Sequence, residues 1–100
     1  MNEHTKEILD LYDNDIKVLD ISNKEIKGEL DLAKFKKLGK LYCQNNEITS
    51  LCNISGYLRY INCSNNLITS LMNLDYTLKK IKFDGNPIKA LHLLTFKMPI

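Results

Sequence analysis

A twenty-residue repeat constrains this chain more than any other feature. Leu38-x-x-Leu41-x-Cys43-x-x-Asn46-x-Ile48 recurs as Leu58-x-x-Ile61-x-Cys63-x-x-Asn66-x-Ile68 and as Leu78-x-x-Ile81-x-Phe83-x-x-Asn86-x-Ile88. A leucine follows each unit at one offset: Leu51, Leu71 and Leu91. The fourth and sixth places are apolar and alternate with polar ones, which predicts a strand with one buried face. Repeated at a fixed period, such strands stack in parallel, one per turn and ~4.8 Å apart. No unit buries its apolar face alone, so stacking neighbours build a continuous core, and the expected architecture is a solenoid.

Each strand runs into an asparagine: Asn46, Asn66 or Asn86. The chain must turn there, and an amide both donates to and accepts from the backbone groups that stacking would bury unpaired. The three are expected to form a structural ladder along the spine. A degenerate unit lies upstream, Ile16-x-x-Leu19-x-Ile21-x-x-Lys24-x-Ile26, and the next begins twenty-two residues later. Lys24 stands where the asparagine belongs and is expected to weaken the first turn, leaving the N-terminal end the least stable part. Leu30, Leu32 and Phe35 would supply the return segment of that first, capping-like repeat.

Residues 3–13 read as a helix with Ile8, Leu9, Leu11 and Tyr12 on one face and Glu3 and Glu7 near the positive end of its dipole. It is expected to cover the open end of the core. The whole chain reads as one domain, with the cap helix in 1–15, the repeats in 16–94 and an apolar tail in 95–100. The tail continues Leu91, Leu93 and Leu94 with Phe96, Met98, Pro99 and Ile100.

The pattern resembles the leucine-rich repeat family over about residues 16–94. The LYCQNN and INCSNN versions resemble repeats from proteins of bacteria, some fungi and large DNA viruses, as does the LDIS-type first strand at Val18–Ser22. The resemblance implies an α/β fold: a short leucine-rich-repeat solenoid with a concave parallel sheet of about four strands, an N-terminal capping helix, and loops or short 3-10 turns on the convex side. It also implies a protein-binding module rather than an enzyme, and a host protein as target if the source is a virus or an intracellular bacterium. Four repeats make a short solenoid and a small concave face.

Alternation places three columns on that face: Val18, Lys40, Tyr60, Lys80; Asp20, Tyr42, Asn62, Lys82; and Ser22, Gln44, Ser64, Asp84. Tyr42 and Tyr60 fall on neighbouring strands and should touch. Rings amid cations are common interface anchors, because they bury much area at little entropic cost. The expected partner-binding set is Lys40, Tyr42, Gln44, Arg59, Tyr60, Asn62, Lys80 and Lys82. Lys80 and Lys82 have a second role open to them, guarding the last sheet edge against pairing with another chain.

Charge is polarised. Residues 1–31 hold nine acids against four lysines, net −5, and residues 32–100 hold ten bases against three acids, net +7. That favours an acidic partner for the C-terminal part. It also supports a second reading, self-assembly driven by charge and by Phe96, Met98 and Ile100. Nucleic acid is disfavoured: there is one arginine, and the acids of the N-terminal end would repel a phosphate backbone tracking the face. No apolar run approaches the ~18–20 residues of a membrane helix.

Chemistry finds little to stand on. Cys43 and Cys63 occupy one inward column and read as reduced small hydrophobes, while Cys52 sits on the return segment and is more exposed. An odd cysteine count with no secretory leader points to a reducing, cytoplasmic setting. There is no C-x-x-C or H-x-x-x-H pair, and His4 and His92 lie at opposite ends of the stack. No metal, cofactor or catalytic residue is therefore expected.

Overall fold

The structure, a computed structural model, describes residues 1–71, 74 and 78–89. The tail 95–100, with Phe96, Met98 and Ile100, lies outside the described residues, as do Leu91 and His92.

The helix comes first. α1 spans Glu3–Leu9, with Asn2 as N-cap: its side-chain oxygen accepts the Thr5 N–H at 2.9 Å. The helix is shorter than the expected 3–13, because the chain leaves it at Asp10. Leu9 is buried, Leu11 is 81% exposed, and Tyr12 turns back to donate its hydroxyl to the Asp20 carbonyl at 3.2 Å. The helix lies against the first coil through polar contacts too. Asn2 Nδ2 donates to Lys27 O at 3.3 Å, and His4 Nε2 lies 2.8 Å from Lys24 O.

The repeats then coil into a solenoid of about three turns, with parallel strands one above another. β1 (Val18–Asp20), β3 (Lys40–Tyr42), β5 (Tyr60–Asn62) and β6 (Lys80–Lys82) form one parallel four-stranded sheet in the order β1-β3-β5-β6. Val18, Lys40, Tyr60 and Lys80 share a register, as do Leu19, Leu41, Ile61 and Ile81, and Asp20, Tyr42, Asn62 and Lys82. The expected columns are therefore in register. Leu19, Leu41, Ile61, Ile21, Cys43 and Cys63 are fully buried; Ile81 and Phe83 on the last strand are partly so.

The opposite side departs from the loops and 3-10 turns that the resemblance implies. β2 (Lys27–Asp31) and β4 (Glu47–Cys52) pair as a second parallel sheet. The physical reason is that the return segments also stack in register, with Ile48 and Leu51 buried and Leu30 beside Leu51. The register slips once, where Gly28 and Glu29 face Ile48 and Ser50 with Thr49 between them, and Gly28 takes φ 79° there. The two additional residues of the first repeat fall in this return segment. Ile26 to Leu30 and Leu30 to Leu38 are each one residue longer than Ile48 to Leu51 and Leu51 to Leu58, and Phe35, fully buried, lies in the second of these stretches.

The asparagines lock coil to coil in one direction. Asn46 Oδ1 accepts from Lys24 N and Ile26 N, both at 3.0 Å, in the coil before its own. Asn86 Oδ1 accepts from Ile68 N at 2.9 Å in the same sense. Their amide nitrogens donate to buried carbonyls, Asn46 to Ile21 O and Cys43 O at 3.1 Å each and Asn86 to Cys63 O at 3.0 Å. The first turn thus receives its acceptor from Asn46, whatever stands at position 24.

A second column supports the turns. Asn23, Asn45, Asn65 and Gly85, each one residue before the ladder position, take φ of 55°, 59°, 55° and 76°. Left-handed φ is tolerated by asparagine and free for glycine. Asn65 Nδ2 donates to Asn45 Oδ1 at 3.0 Å, so this column is also laced along the spine.

Candidate binding face

Of the expected binding residues, Lys40, Tyr42, Tyr60, Asn62, Lys80 and Lys82 lie on strands of the four-stranded sheet, whereas Arg59 precedes β5 and Gln44 follows β3. Tyr42 and Tyr60 sit diagonally on β3 and β5, with ring centroids 5.3 Å apart and planes tilted by 50°. That separation and tilt fall within the favoured range for aromatic pairs. Both rings are half-buried, so one side of each packs on the protein and the other faces outward.

The neighbours differ in how firmly they are held. Asn62 Oδ1 accepts from Ser64 Oγ at 2.7 Å and Ser64 N at 3.1 Å, fixing the amide beside the rings. Asp20 repeats the arrangement one edge away: its Oδ1 accepts from Ser22 Oγ at 2.6 Å and Ser22 N at 3.0 Å. Those two bonds hold the Asp20 carboxyl below its ordinary range. Lys40, Lys80 and Lys82 are exposed. Arg59 is exposed too, and its Nη1 donates to Gly56 O at 3.2 Å and Leu58 O at 3.4 Å, at the rim where the strands begin. Gln44 is half-buried, and its Oε1 is buried without accepting a hydrogen bond among the described residues. A buried acceptor left unmatched is unfavourable for the fold, and this one has no surface through which a partner could reach it.

Burial pushes the Cys43 thiol well above its ordinary value, and pushes Cys63 up to about 12. Both are therefore neutral, apolar members of the core at physiological pH. Cys52 is half-exposed at the end of β4; burial first, then Asp31 and Glu29, raise its thiol. No thiolate nucleophile is prepared among these three. No group of three His, Cys, Asp or Glu side chains able to hold a metal ion occurs among the described residues, nor does any helix there have the length and apolarity to cross a membrane.

Sequence reasoning missed Ser55. This buried serine donates Oγ to Lys36 O at 2.9 Å and accepts Tyr57 N at 3.0 Å. It ties the segment bearing Tyr57 to the coil before it. A serine two residues before an exposed tyrosine was the available signal, but turn chemistry of this kind is not periodic.

Stacked coils with parallel strands place the chain among solenoid repeat proteins. No protein-family model matches it, and no curated protein or solved structure is significantly similar to it.

Proposed function

We propose that this chain is a small, non-catalytic leucine-rich-repeat-type module that binds a protein partner on the concave face of its four-stranded sheet. α1 would act as the N-terminal cap, and the setting would be intracellular and reducing. The observation that carries the reading is the Tyr42–Tyr60 pair, two half-buried rings in contact at 5.3 Å on the sheet's outward face. Lys40, Lys80 and Lys82 around the rings are exposed and favour an acidic partner surface. A ring pair supplies rigid area at the centre while the flanking cations govern approach and orientation.

The test is affinity capture from lysate of the source cell or its host, with wild type and the Tyr42→Ala, Tyr60→Ala double variant as baits. Circular dichroism first establishes that both are folded. A protein held by the first bait and lost from the second supports the reading; equal recovery by both baits rejects this face. Self-association is the second reading, favoured by the −5 and +7 halves of the chain. Sedimentation over a wide concentration range tests it, and a monomer throughout would remove it.

A further inference from the structure

The rim where the strands begin carries a groove distinct from the ring pair. It is open, about 480 Å³ in volume, and among the described residues it is lined by Lys17, Lys37, Gly39 and Tyr57. We infer that this groove binds an acidic peptide segment of a protein partner, a carboxylate lying between Lys17 and Lys37 and an adjoining apolar side chain lying on Gly39 against Tyr57.

Gly39 makes the groove. The equivalent place in the other coils holds Lys17, Arg59 and Lys79. Gly39 does not have the positive φ of Gly28 and Gly85, and a Cβ there would meet Lys17 O at 3.5 Å and Tyr57 O at 3.9 Å, ordinary contacts. Neither backbone conformation nor crowding demands a glycine, and its effect is to leave a notch between flanking long side chains.

The walls are fixed in advance. Lys17 O accepts Gly39 N at 2.8 Å, and Gly39 O accepts Arg59 N at 2.9 Å. Ser55 ties the Tyr57 segment to Lys36, as described above. Because the floor's backbone groups bond one another, a ligand is left to the two ammonium groups and the Tyr57 ring, which is 64% exposed. Addition of a strand is not available here, but capture of side chains is.

The chain itself shows which anion suits the site. Asp15 Oδ1 lies 4.0 Å from Lys37 Nζ, with both side chains more than half exposed. So exposed a pair is weak and readily exchanged for a partner's carboxylate. A nucleic acid fits less well, since among the described residues one ring lines the groove, whereas stacking successive bases takes several.

The test titrates the isotopically labelled protein with a synthetic glutamate-rich peptide ending in phenylalanine, followed by amide chemical shifts. Expected are shifts centred on Lys17, Lys37, Gly39 and Tyr57, and affinity that falls with salt. Lys17→Gln with Lys37→Gln should weaken binding by about ten-fold or more, the scale of losing two charge contacts. Gly39→Gln, which fills the notch without changing charge, should weaken it by a similar factor. The Tyr42→Ala, Tyr60→Ala protein should bind the peptide as wild type does, so this site and the strand face fail or succeed separately. The inference is overturned if no binding occurs, if Gly39→Gln binds unchanged, or if an oligothymidylate of equal charge binds more tightly than the peptide.

Discussion

The side-chain oxygen of Asn66 accepts the backbone N–H of Ile48, one coil back, at 2.9 Å. The same amide donates to Cys43 O and Cys63 O at 3.0 Å and to Ser64 O at 3.2 Å. One buried side chain therefore satisfies backbone groups of two coils. Asn66→Ala should lower stability by roughly 3 kcal/mol, since it strands several buried polar groups at once. Lys24→Asn should change stability by less than about 0.5 kcal/mol, because no coil precedes it to be served. Urea denaturation of the two variants checks the contrast; equal effects would show that the ladder has no direction.

Gly85 and Gly28 separate two costs. Both have left-handed φ, 76° and 79°. A Cβ at Gly85 would collide with the Asn65 amide, whereas one at Gly28 would meet nothing within 4 Å. Gly28→Ala should cost about 1 kcal/mol, the penalty of the backbone conformation alone. Gly85→Ala should cost more, by roughly another 1–2 kcal/mol of overpacking. Thermal unfolding of Gly85→Ala in an Asn65→Gly background should recover much of that difference.

The contact between Tyr42 and Tyr60 should show in a double-mutant cycle. Each replacement with alanine removes partly exposed area and leaves the fold intact, while the two together should reveal a coupling of about 0.5–1.5 kcal/mol. Strict additivity would mean that the rings share a face without interacting.

The thiols make a prediction about alkali. Cys43 and Cys63 are raised in the folded state, Cys63 to about 12 from an ordinary 9.0. The folded protein holds these protons longer than the unfolded chain, so their contribution is complete below pH 9.0 and is lost as pH rises from there towards about 12. Stability should fall over that window, and Cys43→Ala with Cys63→Ala should fall less steeply despite a lower starting value. Near neutrality a thiol reagent should modify Cys52 in the native protein, and Cys43 and Cys63 only after unfolding.

What could be read in the residues was what the period carries. The inward places Leu41, Ile61 and Cys63, the register that stacks Lys40 on Tyr60, and the three-rung ladder all follow from spacing alone, because stacking turns equal spacing into contact. Features that do not repeat were harder. The β2–β4 sheet was hidden because its apolar residues, Ile48 and Leu51 among them, do not alternate strictly. The helix ends at Leu9 because the chain is drawn away at Tyr12, a tertiary contact invisible to helical periodicity. The left-handed column was legible but passed over: Asn45, Asn65 and Gly85 each precede a ladder asparagine, and these residue types accept that conformation. Ser55 and the notch at Gly39 come from pairings between coils that differ from one unit to the next.

The direction of the ladder has a consequence for how the chain is made. Ile26 N finds its acceptor twenty residues later, on Asn46, and Ile48 finds its own eighteen later, on Asn66. A ribosome releases the N-terminal end first. Each coil therefore stays unsealed until the following turn has emerged, and the growing protein always carries one provisional coil at its leading edge, completed by sequence that has yet to arrive.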